Sequence, residues 1–161
     1  MTSNDPPEIL IALGANIPSR AGPPPETLKA ALAALAAANV AVLKISSFHE
    51  TAAWPDPSDP PFTNAAASLR SSLQPFALLE LLHAIETDFG RVRSRANAPR
   101  TLDLDLLAHG RTVLTDERLI LPHPRLAERR FVLQPLAEIA PAWRHPVTGL
   151  TPVQMLAALP A

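Results

Sequence analysis

The sequence predicts an α+β protein, a ferredoxin-like βαββαβ sandwich with extra strand and helix elements at its C-terminal end. Two segments have apolar stripes at helical spacing and four read as strands, and their order along the chain is β-α-β-β-α-β. A chain of 161 residues of which 47% are hydrophobic is typical of one folded domain. We therefore expect residues 1–161 to form a single domain, with residues 1–7 disordered.

The first half of the chain is predicted to contain three strands and one helix. Apolar strands are expected at residues 9–13, 40–48 and 62–69. The helix follows three consecutive prolines, and its apolar stripe is formed by Leu28, Leu32 and Leu35. Between the second and third strands, residues 51–61 contain four prolines and two aspartates, which predicts a long loop.

The second half is predicted to begin with a helix and a strand. The helix opens at Pro75 and stops at Gly90, with an apolar stripe of Leu78, Leu82, Ile85 and Phe89. Residues 101–107 alternate between leucine and aspartate, as a half-buried strand does. After a turn at His109, a short return strand is expected at 112–114, and helical pieces at 131–139 and 152–159.

The bulk composition excludes several classes of protein. A net charge of -1 does not favour nucleic acid or a membrane surface, and no apolar stretch reaches the roughly 20 residues of a bilayer-spanning helix. Without cysteine, the chain has no disulfide and no thiol nucleophile. The acidic N-terminus lacks the basic region of a signal peptide. We expect a cytoplasmic monomer that binds neither nucleic acid nor membranes.

The sharpest local feature is the pair Asp103 and Asp105. Residues two apart on a strand point to the same face, with Cα atoms about 7 Å apart. Two such carboxylates repel each other unless a cation lies between them, and Mg²⁺ prefers one or two carboxylates with waters and substrate phosphates. A pair of metal ions about 4 Å apart can share such ligands. An isolated Asp-x-Asp pattern, however, more often marks an ordinary strand with a solvated outer face.

A cluster of arginines changes this balance. Four of them fall within ten residues just before the strand: Arg91, Arg93, Arg95 and Arg100. A guanidinium group remains charged and can donate two hydrogen bonds to the oxygens of one phosphate. Arginines next to carboxylates are therefore typical of a site for polyphosphates. The alternative is that these arginines only form ion pairs with nearby carboxylates, namely Asp103, Asp105, Glu86 or Asp88. The residues by themselves leave both hypotheses open.

No other short pattern is as specific. The chain has no GxxxxGK[ST] and no GxGxxG motif, which excludes the P-loop and the Rossmann phosphate site, and its histidines lack the spacing of a zinc site. His123, between two prolines, can bind a phosphate or be structural. Phe62 and Phe131 can pack in the core or against a flat ring, and Asn64 can bind the edge of a heterocycle or be exposed.

A longer motif joins the arginines to the aspartates. Arg91-Val92-Arg93 is followed by Pro99-Arg100-Thr101-Leu102-Asp103-Leu104-Asp105, and further short patterns run along nearly the whole chain. They include Ala12-Leu13-Gly14-Ala15-Asn16, Phe62-Thr63-Asn64-Ala65 and Leu121-Pro122-His123. In this combination the chain resembles the 6-hydroxymethyl-7,8-dihydropterin pyrophosphokinases of folate biosynthesis. The arginine–aspartate motif is the specific part, and the other patterns add order and spacing.

The resemblance implies an ATP-dependent catalytic domain that transfers pyrophosphate to the hydroxymethyl group of the pterin and releases AMP. It implies two Mg²⁺ ions at Asp103 and Asp105, with Arg91 and Arg100 as catalytic residues. The implied ATP-binding residues are Glu86, Arg93, Arg118, Ile120, His123 and Arg129. The implied pterin-binding residues are Thr51, Phe62, Asn64 and Phe131. Residues 14–25, 51–61 and 91–99 correspond to mobile loops that close over the site.

The sequence departs from the family pattern in several places, and two other hypotheses remain open. The third loop is about one residue shorter and has Asn97-Ala98 where a large aromatic is often found, and His83 stands where glutamine is common. The chain could instead be a ferredoxin-like RNA-binding module, although Asp103 and Asp105 would repel RNA. It could also be a non-catalytic relative, although the arginine–aspartate motif is intact.

Overall fold

An antiparallel sheet forms the centre of the molecule. The computed structural model describes residues 7–53, 55–91 and 100–160. In chain order the elements are β1 (Glu8–Ala15), α1 (Pro24–Ala37), β2 (Ala41–Ile45), β3 (His49–Thr51), β4 (Phe62–Arg70), α2 (Pro75–Asp88), β5 (Asp103–His109), β6 (Leu114–Thr115), β7 (Ile120–Leu121), α3 (Arg130–Ile139) and α4 (Pro152–Ala157). A 3₁₀ turn at Leu126–Glu128 precedes α3. Disorder was predicted for residues 1–7, and residues 1–6 of this segment lie outside the described residues.

The strand order confirms the predicted fold class. The sheet runs β2-β4-β1-β5 with every neighbour antiparallel, and β3 pairs with β4 beyond the end of β2. β1, the pair β2 and β3, β4 and β5 therefore take the places of the four strands of a ferredoxin-like sandwich. The elements β6, β7, α3 and α4 form the predicted C-terminal addition.

The sheet has a hydrophobic core on each face because alternate residues of every strand point to opposite sides. One core joins α1 and α2 to the first face, through residues such as Ile11, Leu69 and Leu104. The second core joins α3 and α4 to the other face, through Leu10, Ala66 and Leu136 among others. None of the helices in the described parts of the chain is long and apolar enough to cross a bilayer.

Local signals place the ends of the first two helices. α2 begins at Pro75, as predicted, and Gly90 just beyond its end has φ 86°, the left-handed conformation that terminates helices. Asn39 has φ 65° in the corresponding position after α1. Both helices bury the leucine stripes that the sequence predicts.

The second predicted strand, residues 40–48, is shorter than predicted: β2 ends at Ile45, and a separate strand, β3, begins at His49. Ser46 pairs with Ala66 through a backbone hydrogen bond of 2.9 Å, whereas His49 lies opposite Asn64, so three steps along this strand match two along β4. The extra residue interrupts the ladder as a β-bulge does. As a result Thr51 ends β3, opposite Phe62, rather than beginning the loop as predicted.

The strand that carries the aspartates is also displaced from its prediction. β5 begins at Asp103 rather than at residue 101, and it continues to His109 because a shift in register opposite Leu10 and Ile11 of β1 prolongs the pairing. The short return strand predicted at 112–114 is displaced towards the C-terminus, since β6 covers Leu114–Thr115. It forms a separate hairpin with β7, and within the described residues these two strands pair only with each other.

Candidate active site

Three residues of the predicted site form a row across the sheet. Gly14 of β1 lies opposite Asn64 of β4 on one side and Asp103 of β5 on the other. Since neighbouring strands are about 4.8 Å apart, the backbones of Asn64 and Asp103 are about 10 Å apart. Asp105 follows on the same face, opposite Ala12. The small residues Gly14 and Ala12 therefore separate a polar amide from two carboxylates.

The first carboxylate is held between two arginines. Arg91 Nη1 lies 2.9 Å from Asp103 Oδ1, and Arg100 Nη1 lies 3.0 Å from Asp103 Oδ2. Arg91 also donates to Glu86, which is 1% exposed and accepts the backbone N–H of Leu104 at 2.8 Å. The ion pairs that the sequence offered as an alternative are thus present, and they bring both predicted catalytic arginines to one carboxylate.

The second carboxylate is held less closely by the arginines that the structure describes. Burial and the negative charge of Asp103 raise the pKa of Asp105 to about 7, although Arg129 and Arg100 oppose the shift. Arg129 Nη1 is 4.0 Å from Asp105 Oδ2, the shortest distance to an arginine among the ion pairs of the described residues. Two neighbouring carboxylates of which one resists ionisation are a favourable environment for an added cation.

The donor set fits Mg²⁺ rather than a metal that needs a full protein cage. Among the residues that the structure describes, no group of three or more His, Cys, Asp or Glu side chains could hold a metal ion. Mg²⁺ commonly binds through one or two carboxylates and completes its coordination with water and substrate phosphates. Asp103 and Asp105 match that requirement.

The predicted histidine is neutral and has one defined tautomer. Burial, followed by the charge of Arg129, lowers the pKa of His123 to about 4. His123 Nδ1 accepts the backbone N–H of Arg125 at 3.1 Å, so the ring proton belongs on Nε2. A neutral imidazole with a proton on Nε2 donates a hydrogen bond, which suits a phosphate oxygen.

These groups line one cleft of about 370 Å³. It contains nine of the predicted site residues, namely Glu86, Arg91, Arg100, Asp103, Asp105, Arg118, Ile120, His123 and Arg129. The predicted ATP-binding residue Arg93 lies outside the described residues. Apolar side chains that the sequence did not single out, Leu79 and Leu106, also line the cleft. Leu79 neighbours the apolar stripe of the second helix, and Leu106 belongs to the alternating leucines of the strand at 101–107. In the sequence both therefore look like ordinary core residues.

Arg118 is supported by an aromatic residue that sequence analysis missed. Its guanidinium carbon lies 4.1 Å from the centre of the Phe76 ring, and its Nε is 3.3 Å from Asp116 Oδ1. Phe76 follows Pro75 at the start of α2, outside the leucine stripe. Phe76 is half-buried against the core, so the sequence does not distinguish it from an ordinary core aromatic.

Three of the predicted pterin-binding residues, Thr51, Phe62 and Asn64, lie at the Asn64 end of the row. Asn64 Nδ2 donates to Thr51 Oγ1 at 2.7 Å, and Thr51 pairs with Phe62 across the two strands. Asn64 is 6% exposed, whereas Phe131 at the start of α3 is 41% exposed. The Arg129 guanidinium lies 5.6 Å from the Phe131 ring, which places this aromatic next to the cleft.

Comparison with known proteins identifies the class as an ATP-dependent transferase. Residues 10–141 match the model of the family described as 7,8-dihydro-6-hydroxymethylpterin-pyrophosphokinase. The chain belongs to this family, as its sequence motifs indicated.

Individual relatives agree with the family match. The chain is 44% identical over 148 residues to a 2-amino-4-hydroxy-6-hydroxymethyldihydropteridine pyrophosphokinase of Synechocystis, covering 91% of this chain and 73% of the relative. It is 47% identical over 131 residues to the protein of the same name from Bacillus subtilis, covering 80% and 75%. A folic acid synthesis protein of Pneumocystis carinii is 38% identical over 143 residues, which are 89% of this chain and 19% of that longer protein.

Proposed function

We propose that this protein transfers the pyrophosphoryl group of ATP to the hydroxymethyl oxygen of 6-hydroxymethyl-7,8-dihydropterin and releases AMP, as one catalytic domain. The observation that carries the proposal is the carboxylate of Asp103, held between Arg91 and Arg100 and in one row with Asn64. This arrangement brings a polyphosphate site within about 10 Å of an amide suited to a heterocycle edge.

ATP would occupy the cleft between α2, β5 and the start of α3. Arg118 and Arg129 supply positive charge at the cleft, and His123 supplies a neutral donor at Nε2. Ile120 is 42% exposed at the cleft and offers apolar surface to the nucleoside. Glu86 would act on the triphosphate through Arg91, whose guanidinium it holds.

Asp103 and Asp105 would hold two Mg²⁺ ions. When bound, Mg²⁺ neutralises charge on the phosphate oxygens and so makes the phosphorus atom easier to attack. Binding requires Arg91 and Arg100 to exchange part of their contact with Asp103 for the triphosphate. Both arginines then remain at the position where negative charge develops.

The pterin would lie over the sheet next to Gly14. Asn64 offers a donor and an acceptor to the edge of the heterocycle, and Thr51 holds its amide in place. Phe62 and Phe131 offer ring faces for stacking. The hydroxymethyl oxygen then attacks the β-phosphorus of ATP, forming one O–P bond while the bond from the β-phosphorus to the bridging oxygen of AMP breaks; the hydroxyl proton is released.

The test is whether AMP forms only when the acceptor is present. The purified protein is incubated with ATP, Mg²⁺ and 6-hydroxymethyl-7,8-dihydropterin, and nucleotides are separated by chromatography. We expect equimolar AMP and pterin pyrophosphate, and no AMP with 6-methyl-7,8-dihydropterin, which has the same ring but no hydroxyl group. Formation of ADP, or of AMP with the methyl compound, would refute the proposal.

A further inference from the structure

We infer that Asn16, in the loop after β1, is a positioning residue that fixes Arg100 and ties it to the loop beside the pterin pocket. The inference rests on the proposed function, because it assigns Asn16 a role through Arg100. Asn16 is polar yet only 3% exposed, and both ends of its carboxamide are hydrogen bonded.

Asn16 forms hydrogen bonds with both the backbone N–H and the backbone carbonyl of Arg100. The Arg100 N–H donates to Asn16 Oδ1 at 2.7 Å, and the N–H of Asn16 donates to the Arg100 carbonyl at 3.1 Å. The residue from which a catalytic guanidinium extends is therefore attached to the end of β1, in the middle of the sheet. A shift of this attachment would move the guanidinium relative to Asp103.

The other end of the carboxamide binds a different loop. Asn16 Nδ2 donates to the carbonyl of Pro60 at 3.1 Å, two residues before Phe62. Since a backbone N–H can only donate and a carbonyl can only accept, the two partners fix which end of the carboxamide carries the oxygen. Aspartate has no donor for Pro60 and alanine has neither group. Asparagine thus joins an arginine of the ATP side to the loop of the pterin side.

The loop after β1 also contacts the end of α2, which precedes Arg91. Arg20 Nη2 lies 2.6 Å from Asp88 Oδ2, and its guanidinium carbon lies 4.5 Å from the centre of the Phe89 ring. Asp88 is the last residue of α2, three residues before Arg91. Residues 16–20 therefore contact the chain near both arginines that converge on Asp103, with Asn16 as the buried contact and Arg20 as an exposed one.

The first experiment is a double-mutant cycle between Asn16 and Arg100. In Asn16→Ala we expect kcat to fall by about ten-fold or more, because small misplacements of a catalytic group are costly. The dissociation constant of a non-hydrolysable ATP analogue should change much less. In an Arg100→Ala background the same substitution should lower kcat by no more than about two-fold, since the group it positions is already gone. A purely structural Asn16 would give the same fold-loss in both backgrounds.

Two further variants separate the contacts. Asn16→Asp keeps the acceptor for Arg100 but opposes an oxygen to the Pro60 carbonyl, so the KM for the pterin should rise while kcat falls less than in Asn16→Ala. Arg20→Ala should lower kcat by about two- to three-fold at low salt, and less at high salt, where exposed ion pairs are screened. Lys29→Ala, which removes an exposed cation paired with Glu26 on α1, is the matched control and should leave kcat unchanged.

The outcomes are decisive in each case. Wild-type kcat in Asn16→Ala, or equal losses with and without Arg100, would overturn the inference. Should Asn16→Ala fail to fold, Asn16→Asp decides: an unchanged KM for the pterin contradicts the link to Pro60. If the wild-type protein itself produces no AMP, the proposed function fails rather than this inference.

Discussion

Asp105 is the residue at which function and stability oppose each other. Burial and the neighbouring charge of Asp103 raise its pKa to about 7, so its ionised form destabilises the protein when no cation is bound. We expect Asp105→Asn to lower kcat by at least about 10²-fold, with a melting temperature in the absence of Mg²⁺ no lower than that of the wild type. Activity assays and calorimetry check both parts. Near-normal turnover would contradict the role in metal binding.

Arg100 is expected to act mainly in the transition state. Its Nη1 lies 3.0 Å from Asp103 Oδ2, at the position where the phosphates would carry charge. Arg100→Ala should reduce kcat by about 10²- to 10³-fold, or roughly 3 to 4 kcal/mol, more than it raises the KM for ATP. Arg100→Lys should restore only part of the rate, because lysine keeps the charge without the planar pair of donors. An unchanged kcat with a lower melting temperature would indicate a structural ion pair.

We expect a glycine at position 14 to be required because it leaves room for Asn64, and not because of its backbone conformation. A Cβ at Gly14 would lie 3.2 Å from Asn64 Oδ1, so alanine requires the amide that is proposed to bind the pterin to shift by a few tenths of an ångström. We expect Gly14→Ala to raise the KM for the pterin by about ten-fold, since sites built around hydrogen bonds are sensitive to a lost partner, and to leave ATP binding nearly unchanged.

Gly149→Ala is the matched control for that substitution. Gly149 has φ 74° and no atom within 4 Å of an added Cβ, so alanine there should cost stability through backbone strain and leave the KM for the pterin unchanged. If Gly14→Ala keeps the wild-type KM for the pterin, the pterin does not depend on the position of Asn64.

Whether a residue could be predicted depended on where its partners lie in the chain. Asp103, Asp105 and the arginines stand within one motif, so their spacing was visible in the sequence. Asn16 binds Pro60 and Arg100, which are 44 and 84 residues away, and both partners are backbone atoms. Backbone N–H and carbonyl groups occur all along the chain, so no pattern of side chains indicates which of them Asn16 binds.

At the scale of elements, a polar cluster joins β3 to α3. Glu138 on α3 accepts the Ser47 hydroxyl at 2.6 Å and also bonds His49 of β3. Burial would raise the pKa of Glu138, but the hydrogen bonds from Ser47 and His49 outweigh it and hold that pKa below its usual range. The cluster links the strand that ends at Thr51 to the helix that carries Phe131.

This lowered pKa predicts a pH-dependent contribution to stability. The contribution is present above the pKa of about 4.3 that glutamate has in the unfolded chain, and it is lost as pH falls through the lower folded value. Glu138→Gln should therefore be less stable than the wild type at pH 7, by at most about 1 kcal/mol for so exposed a group, and the two should converge at low pH. Urea unfolding at both pH values measures this.

The control for this prediction is Glu80→Gln, which removes an exposed carboxylate on α2. It should change stability little at either pH. A Glu138→Gln difference that persists unchanged at low pH would show that the contact does not depend on the charge of Glu138.

Helices were predicted more accurately than strands, for a physical reason. The ends of α1 and α2 depend on prolines and on residues with positive φ inside the same segment. The ends of β2, β3 and β5 depend on the register of a partner strand, which is remote in sequence. The break after Ile45 and the extension to His109 both arise where the register shifts.

At the scale of the whole molecule, ligand binding should stabilise the fold. The cleft is lined by residues from α2, β5, β7 and the segment before α3, so an occupant contacts several separate elements at once. A non-hydrolysable ATP analogue with Mg²⁺ at 100 times its dissociation constant should add about 2.7 kcal/mol to the free energy of unfolding. Chelation of Mg²⁺ should remove most of the shift in melting temperature. An equal shift without Mg²⁺ would contradict metal-dependent nucleotide binding.

The sequence by itself determined the fold class, the family and the cluster of arginines and aspartates, because each depends on periodicity or on a motif within one segment. Only the tertiary structure decided what faces that cluster. Asn64, Gly14 and Asp103 come from three strands, and antiparallel pairing places them in one row across the sheet. Asn16 acquires its partners in the same way. Contacts between distant segments depend on register and loop position, and these are properties of the folded chain as a whole.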